Sequence, residues 1–291
     1  MISPHKVETN GQQIAVYDLG GDGPPVVVTH GASLCGMMMA PAVAALQQTH
    51  RVFCVDLRAH GQSTNSETPA MTWDAIASDL PAVFDYIRST SGVSDDHQLL
   101  GVGHSLGGAC LIMAEHQVPG SLKALWLYEP IFFPKEPPIH LARSQLLIDG
   151  ALRRKTGFES LGAAKERLGS KPPMGSFTTE CLDAYLQFGI NDIDDETEEG
   201  HTVVVACDPQ LEAEIYKNAN SGSGQLISET ELAITIAVGG DDGDRVPAIK
   251  NSVAGLDLDV SEFDGFGHFA PFEHPEVIAQ EVASWAASST S

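Results

Sequence analysis

A serine between two glycines, set where an apolar run ends and a helical run begins, constrains this chain more than any other feature. Residues 98–102 lead into Gly103-His104-Ser105-Leu106-Gly107, and the helical pattern continues to Gln117. A turn this sharp brings the flanking positions so close to neighbouring backbone that a β-carbon there would collide. It also holds the serine hydroxyl out above a sheet. The same alternation recurs around it: residues 51–55, 98–102 and 122–128 read as buried strands, with helical runs over 73–90 and 105–117. Strands joined by helical crossovers predict an α/β chain with a mainly parallel sheet and helices on both faces. With 291 residues, 43% of them apolar, the chain can bury one large core plus an insertion.

Further segments fall in order around the serine. Residues 25–29 form a strand-like run ending in His30-Gly31-Ala32, and Asp56-Leu57-Arg58-Ala59-His60-Gly61-Gln62-Ser63 follows the next strand. A strand over 233–238 ends in Gly239-Gly240-Asp241-Asp242-Gly243-Asp244. Late in the chain, Gly265-Phe266-Gly267-His268-Phe269 follows an alternating run over 256–263. On the H-G turn, the D-x-R-x-H-G-x-S loop, the G-x-S-x-G turn and the late Gly-His loop, the chain resembles the α/β-hydrolase superfamily. The resemblance is to its serine esterase and lipase-like branch with a cap domain, and it covers nearly the whole chain. It implies the α/β-hydrolase fold: a mainly parallel eight-stranded sheet with helices on both faces and a helical cap insertion. It also implies Ser105 as nucleophile, His268 as base, and the amides of Ala32 and Leu106 as the oxyanion hole. The chemistry is consistent, because a serine hydroxyl must lose its proton as it attacks and an imidazole titrating near neutrality can take it.

The third member of the triad is an acid read from spacing. Gly239-x-x-Asp242 fits the family's count from the strand end, whereas the count back from Pro247 falls between Asp242 and Asp244. Strand-anchored spacing is the more rigid, because loops absorb insertions. Asp242 is therefore the expected acid and Asp244 the alternative. Glu129, after the sixth strand, stands where a few members of the superfamily place the acid, and it ranks behind both.

The alternation stops after Tyr128-Glu129-Pro130. Residues 1–132 and 232–291 are expected to form the core and 133–231 a mainly helical cap, with helices over 139–155, 159–168, 179–188 and 210–218. The β-branched run at 201–206 reads as a strand without an assigned place, and residues 221–224 as a flexible return linker. Candidate substrate-facing side chains are Leu34 and Met38 after the oxyanion turn, Phe132 and Phe133 at the cap entry, and Tyr185 and Phe188 on a cap helix. Ordinary core packing produces the same spacings. His104 is expected to support the turn around Ser105, and His30 and His60 to hydrogen-bond loop backbone.

Five cysteines (Cys35, Cys54, Cys110, Cys181, Cys207) show no metal-like spacing, and their odd count argues against a complete disulfide framework. No H-E-x-x-H pattern occurs, so neither metal nor cofactor is expected. Without a signal-like start or a long apolar span, the expectation is a soluble, cytoplasmic chain with no integral membrane association. A formal charge of −23 disfavours nucleic acid as a partner, and the acidic run at 192–199 reads as a solvated surface loop. The expected partner is a small-molecule ester. The expected function is cleavage of a carboxylic ester of a small or medium, mainly apolar substrate through an acyl-enzyme. Acyl transfer, perhydrolysis and C–C bond hydrolysis use the same triad, and a ligand-binding sensor on the same fold is the reading from another class. Serine at the turn speaks against haloalkane dehalogenase and epoxide hydrolase chemistry, for which this superfamily uses aspartate.

An acidic surface repels anionic substrates, and salt screens that repulsion. Raising ionic strength should therefore speed turnover of an anionic ester relative to a neutral ester with the same acyl chain. Equal responses of the two esters contradict this reading.

Overall fold

Val26-Val27-Val28 sits at the centre of the sheet, where β-branched side chains suit the pleat and both faces are covered. Alternation sends Val27 into the core on one face and Val26 and Val28 into the core on the other. The sixth strand repeats the device, with Leu125 and Leu127 on one side and Trp126 and Tyr128 on the other. Full burial of each such side chain stabilises the fold by about 1.5–3 kcal/mol.

The structure is a computed structural model that describes residues 2–65, 68–132, 141–193, 200–219, 222–240, 245–256 and 258–289. Phe133, Asp242, Asp244, Ser221 and the acidic residues 194–199 lie outside these residues. Strands β1 (His5–Thr9), β2 (Gln12–Gly20), β3 (Pro25–Thr29) and β4 (Arg51–Val55) precede the turn at Ser105. Strand β5 (Leu99–His104) leads into that turn and β6 (Leu122–Tyr128) follows its helix. Three short strands come next: β7 (Gly157–Phe158), β8 (Ile190–Asp192) and β9 (Val203–Val205). Strands β10 (Ala233–Gly239) and β11 (Asp259–Phe263) complete the set. The eight-stranded sheet has the order β1-β2-β4-β3-β5-β6-β10-β11. The β1–β2 and β2–β4 pairs are antiparallel, and every other pair is parallel.

Register aligns the carboxyl ends of the parallel strands. Thr29 is opposite Gly103, His104 opposite Tyr128, Tyr128 opposite Ala237, and Gly239 opposite Phe263. The loops bearing Ala32, Ser105, Glu129 and His268 therefore leave the sheet at one edge, where open α/β sheets bind ligands.

The segment between β6 and β10 carries helices Leu141–Arg153, Leu161–Gly169, Thr179–Phe188 and Pro209–Lys217. Ser160, Thr178 and Asp208 cap three of them, each side chain accepting a first-turn backbone N–H. The segment is not wholly helical: β7, β9 and β8 form a separate antiparallel sheet, with the β-branched run 201–206 supplying its middle strand. The expected return linker is also tied down. Gly222 turns with φ of +74°, and Ser223 starts a short helix and donates its hydroxyl to the carbonyl of Ile131 at 3.0 Å.

The loop after β4 locks several segments together. Asp56, fully buried, accepts the N–H of Gly36 at 2.6 Å, the N–H of Gln62 at 2.7 Å and the Tyr17 hydroxyl at 2.9 Å. Arg58 holds Asp79 with two bonds of 2.8 Å, both side chains being almost wholly buried. His60 donates Nδ1–H to the carbonyl of Arg58 at 2.8 Å and accepts the Ser33 N–H at 3.0 Å through Nε2. His30 does the same, donating Nδ1–H to the Gly31 carbonyl at 2.7 Å and accepting the Leu57 N–H at 3.0 Å. Both imidazoles are thus neutral backbone ties, as the sequence suggests.

Burial pushes the His60 imidazole from its ordinary 6.5 down to about 4. Between those values the unfolded chain binds a proton that the folded chain refuses, so this residue makes stability fall as pH drops through that window. Replacing His60 with Asn should lower the pH slope of unfolding free energy there by about 1.4 kcal/mol per pH unit, one proton's worth. Urea titrations of both proteins between pH 4 and 6.5 check it, and parallel curves contradict it.

Candidate active site

The chain turns at Ser105 with φ +54° and ψ −118°, a left-handed conformation that a side-chain-bearing residue rarely adopts and that the surroundings must enforce. Its N–H donates to the Tyr128 carbonyl at 3.0 Å, and its own carbonyl accepts the N–H groups of Ala109 and Ile131, each at 3.3 Å. The flanking glycines are there for space. A β-carbon on Gly103 would lie 2.6 Å from the Gly108 Cα, and one on Gly107 would lie 2.6 Å from the His30 carbonyl oxygen. Leu106 begins the helix Leu106–Gln117, so its amide is one of the first-turn N–H groups directed at the helix's positive end.

Glu129 leaves β6 one strand over, also with a positive φ, of +42°. Its N–H donates to the Ala237 carbonyl at 2.8 Å, which ties it to the neighbouring β10. The side chain is fully buried and uses both oxygens: Oε1 accepts the Gly239 N–H at 3.0 Å, and Oε2 accepts the His268 Nδ1–H at 2.7 Å. With its proton on Nδ1, the neutral imidazole carries its lone pair on Nε2. Two further bonds hold the loop: the Tyr128 hydroxyl donates to the Gly267 carbonyl and His104 Nε2 to the His268 carbonyl, both at 2.9 Å. His104 thus supports the turn, and it does so through the histidine loop.

The carboxylate on His268 is therefore Glu129, where spacing after β10 points to Asp242 with Asp244 as alternative; both aspartates lie outside the described residues. Strand β10 sits between β6 and β11, and Glu129, leaving β6, reaches across the end of β10 to the loop that follows β11.

Ser105 and His268 line one cavity of about 540 Å³, within the range of small-molecule sites, and Ala32 and Leu106 line it beside them. Leu34, Ile131 and Phe132 supply apolar wall from the core. Leu147, Ile215 and Tyr216, on helices of the segment between β6 and β10, supply the facing wall. Met38, Tyr185 and Phe188 do not line it. Met38 is buried with its carbonyl facing the Cys181 thiol at 3.8 Å, and Phe188 packs edge-on against Tyr17. Trp73, which sequence reasoning passed over, lines the cavity and donates its indole N–H to the Ile215 carbonyl at 2.9 Å. A tryptophan opening a helix just after a long loop was its one sequence signal.

A sequence model of the alpha/beta hydrolase family matches residues 26–281. "Protein phosphatase methylesterase 1" of Schizosaccharomyces pombe is 33% identical over 92 residues, which are 30% of this chain and 26% of that protein. A "probable protein phosphatase methylesterase 1" of Caenorhabditis elegans is 31% identical over 105 residues, 35% of this chain and 28% of that protein. The matched region thus spans little more than a quarter of either relative's length. Among solved structures, an E-2-(acetamidomethylene)succinate hydrolase superposes with a TM-score of 0.80 at 17% identity, covering 99% of this chain and all of that one. That likeness speaks to the fold alone. No helix among the described residues is long and apolar enough to cross a membrane. Sheet order, strand-end loops and the family match together make this chain a member of the alpha/beta hydrolase family.

Proposed function

We propose that the protein hydrolyses a carboxylic ester of a small or medium, mainly apolar substrate by way of an acyl-enzyme on Ser105. The observation that carries this reading is the buried Glu129 carboxylate on His268 Nδ1, at 2.7 Å, with His268 and Ser105 facing the same cavity. In this reading Ser105 Oγ attacks the ester carbonyl and passes its proton to His268 Nε2. Glu129 keeps the imidazole in the productive tautomer and stabilises the imidazolium. The amides of Ala32 and Leu106 receive the oxyanion, each contributing about 3–4 kcal/mol to the transition state. Collapse breaks the ester bond and returns the proton from Nε2 to the departing alkoxide. Water then repeats the sequence on the acyl-enzyme and releases the carboxylic acid.

The described cavity walls carry no Asp, Glu, Lys or Arg, which supports an uncharged acyl group. The partial similarity to methylesterases supports ester chemistry. In this reading the segment between β6 and β10 is a cap that closes the cavity and selects the substrate. The five cysteines are buried free thiols, which suits a reducing compartment such as the cytoplasm.

A p-nitrophenyl ester series of increasing acyl length tests the assignment. Wild type should hydrolyse short and medium chains, and Ser105→Ala should abolish turnover. Glu129→Gln should lower kcat by about 10³–10⁴-fold, because an amide no longer selects the tautomer. Asp242→Asn should stay within about threefold of wild type, because in this reading Glu129 is the acid of the triad. A loss on Asp242→Asn with Glu129→Gln unaffected overturns Glu129 as the acid.

A further inference from the structure

The residue after Ala32 is Ser33, another side-chain-bearing residue with positive φ, here +68°. Such a conformation costs of order 1–3 kcal/mol and persists only where the surroundings impose it. Two grips do so. From the core, His60 Nε2 accepts the Ser33 N–H at 3.0 Å. From the insertion, Glu212 on helix Pro209–Lys217 accepts the Ser33 hydroxyl, although the two residues are 179 positions apart in the chain.

Glu212 is itself held on several sides. It is 4% exposed; the Tyr216 hydroxyl donates to its Oε1 at 3.1 Å, and Oε2 pairs with an Arg154 terminal nitrogen at 2.5 Å. The same guanidinium nitrogen donates to the Cys207 carbonyl at 3.3 Å. Asp208 caps the helix by accepting the Gln210 N–H at 2.8 Å, which fixes the turn that presents Glu212. Burying a carboxylate and a guanidinium carries a desolvation penalty of several kcal/mol per ion, so replacing such a pair by apolar side chains is often neutral or stabilising. Fold stability alone does not account for a buried carboxylate, paired with a half-buried guanidinium, that also takes hold of the oxyanion loop.

We infer that Glu212 is a positioning residue for the oxyanion hole: by holding the Ser33 hydroxyl it fixes the Ala32 amide where the developing oxyanion needs it. The inference rests on the serine-hydrolase reading of Ser105 and Ala32. It makes the insertion part of the machinery that stabilises the transition state, in addition to its place in the cavity wall. An amide displaced by about 1 Å costs on the order of 10²-fold in rate, so a small relaxation of this loop is enough to matter.

Phosphonylation by an alkyl fluorophosphonate reads the hole without knowledge of the natural substrate. Ser105 Oγ bonds to phosphorus, fluoride leaves, the serine proton goes to His268, and the phosphoryl oxygen lies in the hole. Ser33→Ala and Glu212→Ala should each lower the saturating rate by about 10–100-fold while the half-saturating concentration moves less than about threefold. Their double variant should be no slower than the slower single variant, because both remove one contact. Glu212→Gln, whose amide oxygen still accepts the Ser33 hydroxyl, should recover most of the rate. Thermal unfolding confirms that each variant is folded, and Ser33→Ala carries the test if Glu212→Ala does not fold. Unchanged saturating rates in both single variants, or effects that multiply in the double variant, overturn the inference while leaving Ser105 as nucleophile. Failure of wild-type Ser105 to be labelled overturns the serine-hydrolase reading itself.

Discussion

A carboxylate with no exposed surface must have its oxygens satisfied by fixed donors, and Glu129 satisfies both at the meeting point of three segments. One oxygen takes the N–H at the end of β10 and the other takes His268 from the loop after β11, while the residue's own N–H closes on β10. The strained backbone at Glu129 is the geometric cost of turning that side chain across a neighbouring strand end. A late loop with two glycines is held in one place because that carboxylate, Tyr128 and His104 each take hold of a different part of it.

The other half of the site is built by a second set of ties. Strand β3 delivers Ala32, and the loop after β4 supports it through His30 and His60, whose ring nitrogens are committed to backbone groups. Asp56 anchors that loop to Tyr17 and Gly36. Burial raises its carboxyl to about 6 despite the hydrogen bonds that favour the ion, so desolvation outweighs them. Ser105 sits between the two sets, and its left-handed turn is fixed by β6 through the Tyr128 carbonyl. The geometry assigned to catalysis therefore depends on strand order more than on any single contact.

That dependence explains what could be read from residues alone. The turn at Ser105 was legible because its two glycines flank the serine in the sequence itself, and a β-carbon at either would strike backbone 2.6 Å away. The sheet was legible because residues 26–28, 99–102 and 124–128 are apolar runs, as strands covered on both faces must be. The reach of Glu129 to His268 was not, because it crosses the end of β10, and a contact between loops that follow non-adjacent strands leaves no spacing signal. Met38, Tyr185 and Phe188 were read as lining a pocket because apolar side chains in a core and in a cavity share the same periodicity. The Ser33–Glu212 contact leaves no trace in local pattern, since tertiary packing alone brings residues so distant together.

Glu129 holds the Nδ1 proton of His268, and the loop that carries the base depends on that bond. Proton NMR on protein labelled with ¹⁵N-histidine observes that proton directly, with the resonance assigned by its loss in His268→Gln. A hydrogen bond to a buried carboxylate shifts the imidazole N–H resonance downfield. With Glu129 as the acceptor, such a resonance should be present in wild type and in Asp242→Asn, and lost or displaced upfield in Glu129→Gln. A resonance unchanged by Glu129→Gln but lost in Asp242→Asn would contradict Glu129 as the acceptor.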